Sequence, residues 1–151
     1  MYKVVYNSCY GGFSLSPKAE KLLWERKTGK EIFVYESDFR NNNYIKVTDF
    51  DKCSSLSTYY FVTKDYGDVL VEELPNEWMD YEVRRIPRHD KDLVAVVEEL
   101  GSAASGSCAS LEIEKIATPM YRISDYDGYE TVETPDNIGW VVIETNELPE
   151  K

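Results

Sequence analysis

The stretch IPRHDKDLVAVVEELGSAASGSCASLEIEKI, residues 86–116, carries the clearest periodicity in the chain, and the fold is decided there. Asp90 stands where a side-chain oxygen can accept the free N–H groups of a helix start, and Asp92 adds negative charge to the first turn. Leu93, Val96, Val97 and Leu100 then recur at i, i+3, i+4 and i+7, one apolar stripe on a helix. Gly101 supplies the stop, because the residue past a helix end often needs a positive φ that only glycine takes without strain. From Ala109 the period becomes two: Ala109, Leu111 and Ile113 face one way, and Ser110, Glu112 and Glu114 the other. Helix, glycine stop, small-residue turn and strand predict an α+β chain, a mainly antiparallel sheet with two principal helices packed on one face.

The second helix lies upstream. Residues 2–6, YKVVY, read as a short apolar strand, followed by NSCYGGFSLSPKAEKLLWERKTG. Ser16 before Pro17 is an N-cap with proline at the first helical position, where its missing N–H costs nothing. Ala19, Leu22, Leu23 and the stem of Arg26 form the expected inward stripe, and Gly29 stops the helix. Between strand and helix, Gly11 and Gly12 permit positive φ or a close backbone approach, and a loop feeding a helix N-terminus offers N–H groups to an anion. This is neither a Walker loop nor a dinucleotide fingerprint, and a plain tight turn is the simpler account of it.

Further along, EIFVYE (31–36) is expected as a strand and the asparagine-rich 38–45 as a turn. YIKV, STYYFVT and DVLVEEL suggest two or three antiparallel strands around a turn at Asp65 to Asp68. Trp78 and Tyr81 are expected under the central helix. Downstream, YRISDYDGYE reads as a hairpin whose Asp127-Gly128 pair suits a tight primed turn. Ile138 to Ile143 is expected as one more strand, ahead of an acidic end that frays. No linker-like or repeated segment divides the chain, so residues 1–151 read as a single domain, long enough to bury roughly two-thirds of its unfolded surface.

Composition narrows the function. Seventeen basic against 28 acidic residues leave a formal net charge of −11, which disfavours a polynucleotide partner. No apolar run approaches the ~20 residues that cross a bilayer, and no signal-like N-terminus precedes the first strand, so a reducing cytosolic setting is expected. Three scattered cysteines, Cys9, Cys53 and Cys108, and one histidine, His89, fit neither a disulfide framework nor a zinc site. A nucleophilic triad lacks its serine elbow, and the carboxylates around Asp125, Asp127 and Glu130 are first of all a turn sequence. No catalytic residue, metal or cofactor is therefore expected. Basic residues concentrate at Arg84, Arg85, Arg88 and Lys91, where they either converge on a small anion or pair with acidic neighbours. Twelve tyrosines supply rigid amphipathic rings suited to strand packing, interfaces or base stacking.

Three blocks, YNSCYGGFSLS (6–16), residues 86–116 and YRISDYDGYE (121–130), together about a third of the 151 residues, resemble a widespread family of small proteins encoded by bacteriophages and some large DNA viruses. The chain departs from that pattern at Lys91, where the family commonly has proline. The family is similar in turn to phage anti-CBASS nucleotide sponges, which bind a cyclic dinucleotide alarm signal such as 3′,3′-cyclic GMP-AMP without cleaving it. The resemblance implies a non-enzymatic immune-evasion protein in the cytoplasm of an infected bacterium. On that reading Arg84, Arg85 and Arg88, with the backbone of Gly11 and Gly12, meet the phosphates, and Tyr10, Phe13 and Tyr129 offer stacking faces. A ligand of two-fold or pseudo-two-fold symmetry further implies a homo-oligomer with ligand near a subunit interface. The alternatives are a module that inhibits a host protein directly and a metal-dependent phosphodiesterase that degrades the signal.

Overall fold

The computed structural model describes residues 1–54, 56–72, 83–141 and 143, and of Arg84 the backbone only. The fold is α+β, with two helices and eight mostly antiparallel strands among the described residues. In chain order these are β1 (Tyr2–Asn7), α1 (Pro17–Thr28), β2 (Phe33–Asp38), β3 (Asn43–Lys46), β4 (Tyr59–Val62), β5 (Val69–Leu70), α2 (Lys91–Leu100), β6 (Leu111–Ile116), β7 (Arg122–Tyr126) and β8 (Tyr129–Glu133). The strands form three small sheets: β1 with β6, β7 with β8, and the four-stranded order β4-β2-β3-β5.

Both helices begin and end where their capping residues stand. Ser16 Oγ accepts the Ala19 N–H, and Gly29 closes α1 at φ 69°. Asp90 Oδ1 accepts the N–H groups of Asp92 and Leu93 at 3.0 Å, and Gly101, at φ 59°, ends α2. The helices pack antiparallel, because both ends are tied across. At one end Ser16 N and Oγ donate to the carbonyls of Ala104 and Ala103 at 2.9 and 2.6 Å. At the other, Lys27 Nζ reaches Asp90 at 2.8 Å and Asp92 at 3.3 Å, setting a cation at the negative end of α1 against anions at the positive end of α2.

The β1–β6 ribbon separates two apolar clusters. Val5, Leu111 and Ile113 join the helix residues Leu23, Trp24, Leu93 and Val97 in the main core. Val4 and Ile116 instead meet Val132 of β8, with Tyr6, Tyr121 and Ile123 around them. The strand alternation thus builds helices, ribbon and hairpin into successive layers. Val34 and Phe61, opposed across β2 and β4, extend the main core toward the four-stranded sheet.

Three expectations need correction. Trp24, not the stem of Arg26, completes the buried stripe of α1 with Ala19 and Leu23, and Arg26 is exposed and paired with Asp92. The strands either side of Asp65–Asp68 do not pair with each other; β4 pairs with β2 and β5 with β3. Ile138–Val141 and Ile143 are not strand, and Trp140, Val141 and Ile143 lie exposed, since an apolar β-branched run has no ladder without a partner edge. Trp78 and Tyr81 fall outside the described residues.

Candidate functional site

The three sequence blocks meet at the end of β1, around Asn7. Its side chain is fully buried and fully used: Nδ2 donates to the carbonyls of Cys9 at 2.7 Å and Gly128 at 2.8 Å, and Oδ1 accepts the Ser110 N–H at 2.8 Å. The Asn7 backbone N–H donates to Glu130 Oε1 at 2.8 Å. One asparagine therefore holds together the two-glycine loop, the β7–β8 turn and the approach to β6. Burial of so many polar atoms is tolerated because each has a partner.

Glu130 extends the network. It is 4% exposed, and its two oxygens accept Arg88 Nη1 at 2.5 Å and Nη2 at 2.8 Å. The guanidinium carbon of Arg88 lies 3.6 Å from the centre of the Phe13 ring, so the ring covers the ion pair as a cation–π lid. The Arg88 carbonyl also accepts the Val5 N–H at 2.8 Å, which fastens this residue along the edge of β1 opposite β6.

The residues singled out for ligand binding are mostly assembled. Tyr10 and Tyr129 place their ring centres 5.3 Å apart, tilted by 47°, and both rings reach solvent. The close approaches beneath them explain the glycines. A Cβ on Gly11 would lie 1.8 Å from the Cys108 carbonyl oxygen, and one on Gly128 would lie 2.6 Å from Gly12 N and Tyr10 O. Gly12 has φ 91°, and Asp127 and Gly128 have φ 51° and 88°, the positive pair of the tight turn. Phe13 and Arg88 belong to the same assembly, but Arg88 turns its terminal nitrogens to Glu130. Arg85 is exposed in the short 3₁₀ turn Val83–Arg85, and the side chain of Arg84 is outside the described residues. Lys91 lines a separate shallow groove with Lys3, His89 and Glu98. The basic run therefore does not converge on one point among the described residues.

A cavity of about 560 Å³, within the ~300–1,000 Å³ usual for small-molecule sites, is walled in part by the later residues of the same loop. Its walls come from Ser14 to Pro17 and Glu20, from the segment between residue 50 and β4, and from Ser105 to Ser107. Hydroxyls dominate the polar part and Phe50, Tyr59 and Phe61 the apolar part, while among the described residues Glu20 is the only carboxylate and neither lysine nor arginine contributes. Glu20 Oε1 accepts the Trp24 Nε1–H at 3.3 Å. Burial raises the Glu20 pKa above its usual value, partly offset by that hydrogen bond. Ser54 and Ser105 Oγ each accept a backbone N–H, from Leu56 and Leu111, and among the described residues their own O–H groups donate to no partner.

Elsewhere, His89 Nδ1 and the Tyr121 hydroxyl are 2.7 Å apart. Burial raises the pKa of Tyr6 to about 12, with the hydrogen bond to Glu112 adding to it. Among the described residues no three or more His, Cys, Asp or Glu side chains are grouped to hold a metal ion, and no helix is long and apolar enough to cross a membrane.

Sequence reasoning missed Asn7, took the buried Glu130 for part of a turn sequence, and missed the cavity. The signal for the first two was a polar residue closing the apolar run YKVVYN and a glutamate at an inward position of β8; the cavity signal was three serine-rich segments, SLS, SSLST and SGS, far apart in the chain. Compared with protein-family models, curated proteins and solved structures, the chain matches none of them.

Proposed function

We propose that the protein is a phage-type immune-evasion factor that binds a cyclic dinucleotide defence signal and withholds it from its effector without cleaving it. The observation that carries this reading is the double use of one loop. Tyr10 at its start forms an open ring pair with Tyr129, and Ser14 to Ser16 at its end wall a cavity of ligand size. A cyclic dinucleotide presents two bases and two phosphodiesters, so it needs stacking faces and a few donors rather than a reactive group. The N–H groups of Gly11 and Gly12, which donate to no partner among the described residues, supply donors on the same loop. Sequestration acts by mass action, so tight binding and slow release suffice. A symmetrical ligand also favours a homo-oligomer with the signal near a subunit contact.

The test is retention. Purified protein is incubated with a panel of cyclic di- and trinucleotides, separated from free ligand, denatured, and the released compound identified. Intact released ligand supports a sponge, and a hydrolysed product would make the protein a phosphodiesterase. No retention would transfer weight to direct inhibition of a host protein, the reading favoured by the exposed Trp140, Val141 and Ile143.

A further inference from the structure

We infer that the cavity beside Glu20 is a guanine-binding site, in which the Glu20 carboxylate accepts the N1–H and the 2-amino group of the base. The identity of the whole ligand rests on the cyclic-dinucleotide reading; the choice of base rests on the cavity itself.

A purine held outside a duplex is read along its Watson–Crick edge by hydrogen bonds and gripped on its faces by aromatic or apolar side chains. Guanine offers two adjacent donors, N1–H and the 2-amino group, and two acceptors, O6 and N7. The cavity offers the complement of each. Two adjacent donors need a group that only accepts, which an ionised carboxylate is. Glu20 meets that need because, among the described residues, its carboxylate accepts a hydrogen bond from Trp24 alone and no lysine or arginine lines the space to neutralise it. The acceptors O6 and N7 need donors, and the O–H groups of Ser54 and Ser105 donate to no partner among the described residues after each oxygen has accepted a backbone N–H. Phe50 and Phe61 supply the apolar faces.

Adenine does not fit this set. Its N1 is an acceptor and would face the carboxylate lone pairs across the position where guanine brings a proton. A site built to satisfy a donor rejects the analogue that lacks it far more strongly than an apolar pocket rejects a missing methylene. A carboxylate with one hydrogen bond and no cation beside it among the described residues, in a partly buried, hydroxyl-lined space, is also costly to the fold, which is the expected signature of a group kept for a ligand.

The experiment is calorimetric titration of the full chain with 3′,3′-cyclic di-GMP, 3′,3′-cyclic di-AMP, GMP, IMP and AMP, repeated on two variants. Glu20→Gln keeps an acceptor for Trp24 but turns an N–H₂ toward the base. Ser107→Trp carries its bulk on an exposed residue at the cavity wall, so it obstructs the space without disturbing the core. The expected result is binding of the guanine compounds, IMP weaker than GMP by about tenfold or more for the lost charged hydrogen bond, no binding of the adenine compounds, and loss of binding in both variants with unchanged melting cooperativity. Cyclic di-AMP binding as well as cyclic di-GMP, or Glu20→Gln binding like wild type, would overturn the guanine site and leave sequestration standing. GMP binding with no cyclic dinucleotide bound would overturn sequestration and leave the guanine site. Binding of no guanine compound at all would remove the site.

Discussion

Arg88 and Glu130 form a bidentate ion pair, Nη1 to Oε1 at 2.5 Å and Nη2 to Oε2 at 2.8 Å, with side-chain exposures of 18% and 5%. The pair joins the segment before α2 to the start of β8, just past the hairpin turn, and the Asn7 N–H donates to the same carboxylate. Its removal is therefore a stability experiment first. Arg88→Ala leaves a buried carboxylate without its cation, and denaturant unfolding should show a loss of about 3–5 kcal/mol. The double variant Arg88→Ala/Glu130→Ala should lose less than the sum of the two single changes, because neither charge is then stranded. Additive losses would mean that the two groups act separately. A weaker ligand affinity in Arg88→Ala carries meaning only after that loss is measured, since the loop that Phe13 belongs to is held by the same guanidinium.

The two-glycine loop is set by contact at one position and by conformation at the next. At Gly11 a Cβ would overlap the backbone and Cβ of Cys108, at 1.8 to 2.6 Å, so Gly11→Ala should displace the loop and destabilise by about 1–3 kcal/mol, as overpacking does. At Gly12 nothing lies within 4 Å of a Cβ but φ is 91°, so Gly12→Ala should cost about 1–2 kcal/mol through backbone strain alone. The two are separable by crystallography or amide-proton shifts. Gly11→Ala should move the residues around Cys108, and Gly12→Ala should not. Equal perturbation of Cys108 in both variants would contradict this division.

Elements governed by local rules were legible in the sequence, and those governed by distant pairing were not. Asp90, the stripe from Leu93 to Leu100 and Gly101 act within one helix, and Asp127-Gly128 acts within one turn, so both elements form where the residues predict them. The partner of β1 is β6, more than a hundred residues on, and no periodicity encodes that choice. Ile138 to Ile143 has the composition of a strand, yet Ile138–Val141 and Ile143 pair with no edge among the described residues. The site follows the same division. Tyr10, Phe13 and Tyr129 stand out as stacking rings only through the family resemblance, and Arg88 reads as part of a basic run because its partner, Glu130, lies 42 residues away. The cavity could not be read at all from spacing, since its serines come from three segments that only the antiparallel helix pair and β4 bring together.

The open ring pair predicts a phenotype opposite to that of the ion pair. Tyr10 and Tyr129 are 64% and 38% exposed, so replacing either by alanine should change stability by no more than about 0.5 kcal/mol. If a base stacks on the pair, each replacement should weaken cyclic dinucleotide binding by about 1–3 kcal/mol. Replacement by phenylalanine should keep most of that affinity, because the stacking face survives. Calorimetry on the four single variants separates the possibilities, and full affinity in both alanine variants would exclude the rings from the ligand site.

Glu20 makes a prediction about stability as a function of pH, with a sign opposite to that of Asp90. Burial opposes the charge on Asp90, but Lys27 and the N–H groups of Leu93 and Asp92 outweigh it and hold the pKa below its usual value. Asp90 therefore contributes stability above the unfolded pKa, lost as pH falls through the lower folded value. For Glu20 the folded pKa is raised by burial above the ordinary 4.5. The unfolded chain then releases its proton first as pH rises, so ionisation favours unfolding, and the full cost stands above the folded pKa. Glu20→Gln removes that cost. Its melting temperature should exceed the wild-type value at pH 7, and the gap should close as pH falls toward and below 4.5, where both states of the wild type hold the proton. A variant that melts lower than wild type at pH 7 would show that the carboxylate has a stabilising partner within the fold, and Glu20 would then be a structural residue and no longer a group held open for a ligand.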